Sequence, residues 1–401
     1  MNYTGQEEKM IKLMKSTFYK EEETKKKLCD FIMQTEKLSM GEKCLEFEKK
    51  FSTYQGRKYS VFFNSGSSAN FALIYALINL GLIKKGDNVG FSVLTWATNV
   101  MPLLQLNLNP IPIDVSLSHL NISSGHLEKS LEKFEKKCLF LTNLLGFCGD
   151  LDEIRKICDD KKILLIEDNC ESLGSEFKGK KLGNFGLAST SSFYVGHHLS
   201  TIEGGMVCTD DEELFDMLRK VRAHGWDRNL EEEKQEKLKE MHNIDDFYSR
   251  YTFYTQGFNF RPTEIQGFIG VEQLRYIDDL NKIRNKNFLE FDSVVKDNSD
   301  FHRLDVGHMD FISNFAYPLI CKDKESFEEY KNKFKDKVEI RPIVGGSMVE
   351  QPFFRNYLSH KTPKEEFNCI NAGKIHKQGF YFPNNAELTK EEKLQITELL
   401  R

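Results

Sequence analysis

Residues 59–78 contain the stretch that decides the fold, Tyr59-Ser-Val-Phe-Phe-Asn64-Ser-Gly-Ser-Ser-Ala-Asn70-Phe-Ala-Leu-Ile-Tyr-Ala-Leu-Ile78. An apolar run, a turn of small residues and a longer apolar run predict a β-strand, a tight turn and an α-helix. Such a turn presents backbone N–H groups at a helix start, where they can bind an oxyanion. Most turns of this composition bind nothing, so the motif alone favours phosphate binding only weakly.

Further apolar runs alternate with helical patterns on both sides of this stretch. They cover residues 88–93, 109–115, 138–142, 162–166, 188–193 and 205–209. Strands separated by helices are typical of an α/β protein with a mostly parallel central sheet. Apolar residues at helical spacing among Glu and Lys predict N-terminal helices in residues 6–36 and 42–55.

The length predicts more than one domain. A chain of 401 residues with 40% apolar content can bury one large core and a smaller one. Strand-like runs at 315–320 and 338–343 alternate with helical stretches after residue 300. We therefore expect the N-terminal helices and a large α/β domain in residues 1–300, and a small α+β domain in residues 301–401.

The composition excludes several classes of protein. The net charge of −5 gives no basic surface for nucleic acid. Nine cysteines are scattered without a C-x-x-C pair, which is typical of reduced thiols in the cytoplasm. The chain starts without a signal-like apolar segment and has no run of about 18 apolar residues, so neither secretion nor a membrane partner is expected.

Two acidic residues, Glu167 and Asp168, follow the apolar run Ile163-Leu-Leu-Ile. This places them at the carboxyl end of a buried strand, where open α/β sheets bind ligands. A carboxylate at this edge can keep a pyridinium nitrogen protonated. Taken alone, the pattern favours a helix cap or a surface ion pair.

A histidine pair lies in residues 190–205, Thr190-Ser-Ser-Phe-Tyr-Val-Gly-His-His-Leu-Ser-Thr-Ile-Glu-Gly-Gly205. Adjacent residues of a strand point to opposite faces, which disfavours chelation of one metal by His197 and His198. An imidazole titrates near neutral pH and can act as acid or base, and two structural histidines are the alternative.

The order of these segments resembles the sugar aminotransferases, a family of fold-type I pyridoxal-phosphate (PLP) enzymes, over nearly the whole chain. The resemblance is carried by Asn64-Ser-Gly-Ser-Ser-Ala-Asn, Leu94-Thr-Trp-Ala-Thr, Asn143-Leu-Leu-Gly, Ile166-Glu-Asp-Asn-Cys-Glu-Ser-Leu-Gly, residues 191–205, Arg222-Ala-His-Gly-Trp-Asp-Arg-Asn-Leu, Gly257-Phe-Asn-Phe-Arg-Pro and Arg341-Pro-Ile-Val. It is strongest to the dehydratase branch, the GDP-4-keto-6-deoxy-mannose 3-dehydratases. His197 stands where other members have the cofactor lysine, and a three-layer aminotransferase-like fold is implied.

The resemblance also implies the roles of individual residues. Cofactor binding is implied for Gly66, Ser67, Trp96, Asp168, Glu171, Ser192 and Asn259. Substrate binding is implied for His224, Arg261 and Arg341. His197 is the implied acid and base, and Asp168 pairs with the pyridine nitrogen. Asn259 and Arg261 are expected to reach the site from the partner subunit of a homodimer.

The implied reaction needs no covalent link between cofactor and protein. PLP takes an amino group from L-glutamate, and the resulting pyridoxamine phosphate condenses with the C4 ketone of a nucleotide-linked, GDP-type 4-keto-6-deoxy sugar. His197 moves the proton as the C3 hydroxyl leaves, because an imidazole shuttles protons but forms no Schiff base. The products are a 4-keto-3,6-dideoxy sugar, 2-oxoglutarate and ammonia, for cell-surface polysaccharide biosynthesis. The sugar is a hexose or a heptose.

The sequence is also compatible with other functions. An aminotransferase could use a displaced lysine, Lys178, Lys180 or Lys181, and a catalytically silent cofactor or nucleotide-sugar binder would show no turnover. A metal-dependent lyase is disfavoured because no ligand pair lies at helical spacing, and we expect no metal. No iron–sulfur cluster is expected either, since the closest cysteines, such as Cys138 and Cys148, are ten residues apart.

Overall fold

The computed structural model describes residues 10–360 and 367–401. Its strands are β1 (Tyr59–Phe63), β2 (Asn88–Ser92), β3 (Asn109–Ile113), β4 (Cys138–Thr142), β5 (Leu164–Asp168), β6 (Glu176–Phe177), β7 (Lys180–Lys181), β8 (Ala188–Ser192), β9 (Gly205–Thr209), β10 (Ala316–Ile320), β11 (Arg341–Pro342) and β12 (Gly379–Pro383). Its α-helices are α1 (Glu21–Gln34), α2 (Glu42–Gln55), α3 (Gly66–Asn79), α4 (Met101–Gln105), α5 (Ser124–Leu131), α6 (Leu151–Lys161), α7 (Glu212–Arg222), α8 (Glu232–Met241), α9 (Asp246–Ser249), α10 (Glu264–Leu274), α11 (Ile277–Val295), α12 (Lys324–Phe334), α13 (Pro352–Ser359), α14 (Ile370–Gln378) and α15 (Lys390–Leu399).

A seven-stranded sheet in the order β1-β9-β8-β5-β4-β2-β3 forms the centre of the molecule. Neighbouring strands from β8 to β3 run parallel, whereas β9 is antiparallel to both β1 and β8. The predicted α/β class with a mostly parallel sheet is confirmed.

Helices cover both faces of this sheet. Successive residues of a strand point to opposite faces, and on β1 they enter two separate apolar clusters. Phe62 packs with Phe47 and Phe51 of α2, whereas Phe63 belongs to the larger cluster that includes Leu73 of α3. Helix, sheet and helix thus form the three layers of the predicted aminotransferase-like fold.

A second, smaller sheet is antiparallel, in the order β10-β12-β11. All of its strands come from residues after 301, in the part of the chain predicted as an α+β domain. The exact boundary between residues 300 and 301 stays a prediction. No helix in the two described ranges is long and apolar enough to cross a membrane.

The prediction of a helix over residues 6–36 is wrong for residues 10–20, and residues 6–9 lie outside the described ranges. Residues 10–20 form an irregular segment, here called the N-terminal strap, in which Ile11 pairs with Val338. Lys20 adopts a left-handed conformation (φ 51°), so the helix begins only at Glu21. Ile11, Leu13 and Phe18 of the strap are nevertheless buried, without a helix to present them to the core.

Candidate active site

A cavity of about 450 Å³ lies at the carboxyl edge of the central sheet. Its wall includes the last residues of three parallel strands, Thr142, Asp168 and Ser192. This is the edge at which open α/β sheets bind ligands. The predicted site residues that line it are Gly66, Ser67, Trp96, Asp168, Glu171, Ser192, His197 and Arg341.

The Asp168 carboxylate is held by donors from three segments. Its Oδ2 accepts hydrogen bonds from Asn70 Nδ2 at 2.9 Å and Asn99 Nδ2 at 2.8 Å. Its Oδ1 accepts from the backbone N–H of Cys170 at 2.9 Å. The carboxylate is therefore fixed in direction at the cavity wall, as a partner for a cationic ring nitrogen would need to be.

The carboxylate of Glu167, the residue before Asp168, binds the backbone of a loop. Glu167 is fully buried, and its oxygens accept hydrogen bonds from the N–H groups of Gly183, Phe185 and Gly186 at 2.7–2.9 Å and from the Asn143 amide at 3.0 Å. Glu167 thus anchors the loop before β8 and does not line the cavity. Glu167 is therefore neither a helix cap nor part of a surface ion pair.

The start of α3 forms the opposite wall. Ser65 caps the helix by accepting a hydrogen bond from the N–H of Ser68 at 3.1 Å, and the first N–H groups have no partner inside a helix. Gly66 approaches Ser192 so closely that a Cβ on residue 66 would lie 2.8 Å from the Ser192 Cβ. Only glycine allows this contact, which brings N–H groups and hydroxyls together as an oxyanion cradle.

His197 lies in the loop of residues 193–204 between β8 and β9. Its N–H donates to the Tyr194 carbonyl at 2.9 Å, and its ring stacks on Phe315 with a centroid distance of 5.3 Å. Burial lowers the pKa of His197 to about 4, although the nearby Asp168 charge opposes the shift. The imidazole is therefore neutral at pH 7, the form in which it can accept a proton.

Glu171 lines the same cavity, and burial changes the pKa of its carboxyl group. Burial raises its pKa to about 8, with a smaller contribution from Asp168. The N–H of Leu145 donates to Glu171 Oε2 at 3.2 Å and limits the shift. Glu171 therefore carries a proton at pH 7.

Arg341 reaches the cavity from the small sheet. Its Nε and Nη2 donate to Glu339 Oε1 at 3.1 and 2.7 Å. Tyr381 lies opposite Arg341 in the β11–β12 register and also lines the cavity. Burial, followed by the Glu171 charge, raises the pKa of Tyr381 to about 12.

Three predicted site residues do not line this cavity. Asn259 Oδ1 accepts from Arg261 Nε at 2.9 Å, and the Arg261 guanidinium lies 5.4 Å from the centre of the Trp226 ring. The His224 ring lies 5.0 Å from the same tryptophan. These residues form a separate cluster around Trp226. The contribution of Asn259 and Arg261 to a partner's site, and the substrate-binding role of His224, stay predictions.

Sequence reasoning missed Asn70, Asn99 and Tyr381. Asn70 comes four residues after Gly66, so helical spacing alone could have placed both on one side of α3. Asn99 lies in a short 3₁₀ helix and Tyr381 in a distant strand, and neither has a local signal. Their positions depend on tertiary packing.

The lysines of the displaced-lysine alternative lie elsewhere. Lys178 pairs with Asp152, and Lys181 donates to the Tyr54 carbonyl at 2.6 Å. Lys180 lines a surface groove with Lys181. Among the described residues, no lysine lines the cavity that contains His197 and Asp168.

The described residues contain neither a disulfide nor a metal-binding cluster. The cysteines are free thiols, and Cys170, at the cavity wall, has its pKa raised by burial and by Asp168. Within residues 10–360 and 367–401, no group of three or more His, Cys, Asp or Glu side chains could hold a metal ion.

The chain is similar to known proteins over almost its whole length. The model of the DegT/DnrJ/EryC1/StrS aminotransferase family matches residues 19–401. A GDP-4-keto-6-deoxy-D-mannose 3-dehydratase from Yersinia pseudotuberculosis is 35% identical over 382 residues, which cover 92% of this chain and 93% of that protein.

Two solved structures share the fold. A GDP-4-keto-6-deoxymannose-3-dehydratase with a trapped PLP-glutamate geminal diamine has a TM-score of 0.86 and 32% identity, over 97% of this chain and 99% of that one. A histidine-to-asparagine mutant of the same type of enzyme (ColD) with bound GDP-perosamine has a TM-score of 0.87 and 31% identity, over 98% of this chain and 100% of that one.

Proposed function

Since the chain belongs to the DegT/DnrJ/EryC1/StrS aminotransferase family, we propose that it is a PLP-dependent enzyme that removes the C3 hydroxyl of a nucleotide-linked 4-keto-6-deoxy sugar. L-Glutamate is the amino donor, and the products are a 4-keto-3,6-dideoxy sugar, 2-oxoglutarate and ammonia. The oxygen lost by the sugar balances the oxygen gained when glutamate becomes 2-oxoglutarate. The relatives named as 3-dehydratases support this choice within the family.

One observation carries the proposal. In the cavity, a neutral histidine and a fixed aspartate occur together without a lysine among the described lining residues. An aminotransferase needs a lysine amine that condenses with the cofactor and returns a proton to carbon. A histidine can perform only the second task, which favours elimination with an unattached cofactor over a 4-aminotransferase.

The residues of the cavity fit PLP. The fixed Asp168 carboxylate would hold the proton of the pyridine nitrogen, and Trp96 and Glu171 would border the ring. The cradle of Gly66, Ser67 and Ser192 would bind the phosphate, because a Cβ on residue 66 would fill it. When bound, PLP supplies an aldehyde that exchanges amino groups and a conjugated ring that stabilises carbanions.

His197 performs the proton transfers. As a neutral base it accepts a proton during the elimination, and as an acid it returns one to the departing C3 hydroxyl, which leaves as water. Its stacking on Phe315 fixes the ring. The protonated Glu171 adds no negative charge, so Asp168 remains the anionic partner of the ring nitrogen.

The proposal also covers the nucleotide sugar, the assembly of the subunits and the location of the enzyme in the cell. GDP is the proposed nucleotide because relatives act on GDP sugars by name, and the sugar is a hexose or a heptose. A homodimer is proposed in which Asn259 and Arg261 serve the partner's cavity, since they lie outside their own. The large domain would comprise residues 1–300, the small domain residues 301–401. We place the enzyme in the cytoplasm, in cell-surface polysaccharide biosynthesis.

Addition of L-glutamate to PLP-reconstituted protein tests the first half of the reaction. We expect the aldehyde absorbance to be replaced by the amine absorbance, with one 2-oxoglutarate formed per site. GDP-4-keto-6-deoxymannose should then release ammonia in the presence of glutamate. A protein that binds PLP but gives neither signal would be a silent binder, and turnover to a stable 4-amino sugar would identify an aminotransferase.

A further inference from the structure

The N-terminal strap links the small sheet to the loop that carries His197. The Ile11 N–H donates to the Lys337 carbonyl at 2.9 Å, and the Glu339 N–H donates to the Ile11 carbonyl at 2.8 Å. Further along the strap, Met14 Sδ lies 3.6 Å from where a Cβ on Gly196 would be. The strap therefore passes close to both Glu339 and the residue before His197.

The Glu339 side chain is held from two sides. Its Oε2 accepts a hydrogen bond from the Leu13 N–H at 3.0 Å, and its Oε1 accepts from Arg341 Nη2 at 2.7 Å. Burial alone would raise the pKa of Glu339, but the Leu13 amide and Arg341 together hold it below its ordinary value. One carboxylate thus joins the strap backbone to a guanidinium at the cavity wall.

The Arg341 side chain is long and partly exposed at the cavity wall, so without a partner it could adopt many rotamers. Its side chain is 41% exposed, and a free arginine side chain loses about 2 kcal/mol of rotamer entropy when it is fixed. Contact with Glu339 fixes the guanidinium before a ligand arrives, which reduces the ordering required on binding.

We propose that Glu339 is a positioning residue for Arg341, and that the strap, through the Leu13 N–H, sets the direction in which the guanidinium meets an anionic substrate. The inference rests on the proposed function, in which the nucleotide sugar and L-glutamate both carry negative charge. It adds a residue that does not itself line the cavity.

Positioning and simple electrostatics predict opposite effects of the same substitution. Removing a negative charge beside Arg341 strengthens the attraction of the guanidinium for an anion. Loss of positioning weakens binding, because Leu13 and Arg341 donate to different oxygens of Glu339, and the amide of Glu339→Gln keeps only one of these two acceptors. The sign of the change in affinity therefore separates the two roles.

Calorimetric titration with GDP and with L-glutamate provides the test. The protein is loaded with pyridoxamine phosphate, which does not react with L-glutamate. Arg341→Gln identifies which ligand the guanidinium binds. Lys15→Ala is the matched control, since Lys15 ties the same strap to Glu392 Oε1 at 2.8 Å without touching Arg341.

Glu339→Gln should weaken binding of the ligand that Arg341→Gln affects, and we expect the Kd to rise about threefold to tenfold. The double variant should bind this ligand no more weakly than Arg341→Gln alone. Lys15→Ala should leave both Kd values unchanged. Equal or tighter binding by Glu339→Gln would overturn the inference, as would an Arg341→Gln variant that binds both ligands normally. Failure of the proposed function shows separately, as absence of ammonia release by the wild-type enzyme.

Discussion

Glu167 and Asp168 are adjacent in the chain, yet their carboxylates serve opposite sides of the central sheet. Asp168 lines the cavity and is held by Asn70 and Asn99. Glu167 is fully buried and binds the N–H groups of the loop before β8. Because side chains alternate along β5, the Asp168 carboxylate faces the cavity, whereas the Glu167 carboxylate holds the loop on the other side.

Substitutions of these two residues should therefore have different effects. Glu167→Gln places an amide N–H₂ against backbone donors and should lower the free energy of unfolding by about 1–3 kcal/mol. The folded fraction should keep its turnover. Urea unfolding of the protein without cofactor measures the first effect, and an assay at low urea measures the second.

Asp168→Asn should instead reduce turnover at saturating PLP by about a hundredfold, because a neutral amide cannot stabilise the protonated ring nitrogen. Steady-state ammonia release measures this loss. If Asp168→Asn retained full turnover, or Glu167→Gln lost turnover while folded, the assignment of the two carboxylates would be reversed.

Gly66→Ala tests the cradle at the start of α3. The added Cβ would lie 2.8 Å from the Ser192 Cβ, so we expect a loss of about 1–3 kcal/mol in stability and weaker PLP binding. The double variant with Ser192→Gly should regain stability because the facing Cβ is gone. Equilibrium unfolding and fluorescence titration with PLP measure the two effects.

Gly373→Ala is the matched control for this substitution. Gly373 lies in α14, and a Cβ there meets no atom within 4 Å. Alanine should stabilise this helix by about 1 kcal/mol. Equal behaviour of the two glycine variants would show that the close contact at Gly66 has no energetic importance.

The pH dependence of the reaction should reflect the burial of His197. Its pKa of about 4 lies below the ordinary value of 6.5, so the neutral base is lost only when the pH falls through about 4. Single-turnover rates on pyridoxamine-phosphate enzyme should therefore stay flat through pH 6.5 and fall near pH 4. A fall centred near 6.5 would indicate an imidazole in contact with water.

Glu171 should make the free energy of unfolding depend on pH. Its folded-state pKa of about 8 exceeds the ordinary value of 4.5, so the folded protein holds this proton more tightly than the unfolded chain. The resulting stability is complete below pH 4.5 and is lost as the pH rises through 8.

In protein without cofactor, Glu171→Gln should flatten the decline in unfolding free energy between pH 4.5 and pH 8. Denaturant titrations across this range provide the measurement. The exposed Glu232→Gln is the control and should leave the slope unchanged. The same slope in the wild type and Glu171→Gln would show that Glu171 is charged in the folded protein at neutral pH.

Most strands of the large sheet could be predicted because they are short apolar runs between helical patterns, whereas β8, Ala-Ser-Thr-Ser-Ser, is buried although four of its five residues are polar. The strap could not, because its apolar residues have helical spacing and its pairing partner, Val338, is more than 300 residues away. Local patterns contain no information about such a partner.

The site was predictable where one segment supplies several groups, and the run from Asp168 to Glu171 is an example. Which of the two carboxylates, Glu167 or Asp168, points into the cavity could not be predicted, because this depends on the register of β5, which the sequence does not specify. Phe315 and Tyr381 reach the cavity from the small sheet, so their contact with the site depends on how the two sheets pack.

The loop of residues 193–204 has a consequence for how such enzymes diverge. Its ends are joined by the Ser192–Gly205 pair of β8 and β9, and its stem continues with the N–H of Phe193 donating to Gly204 at 2.9 Å and that of Val195 to Ile202 at 3.2 Å. None of these bonds uses the side chain at position 197. The backbone of the loop stem is therefore held independently of that side chain, and evolution can exchange the reaction type at one loop position while this stem is inherited unchanged.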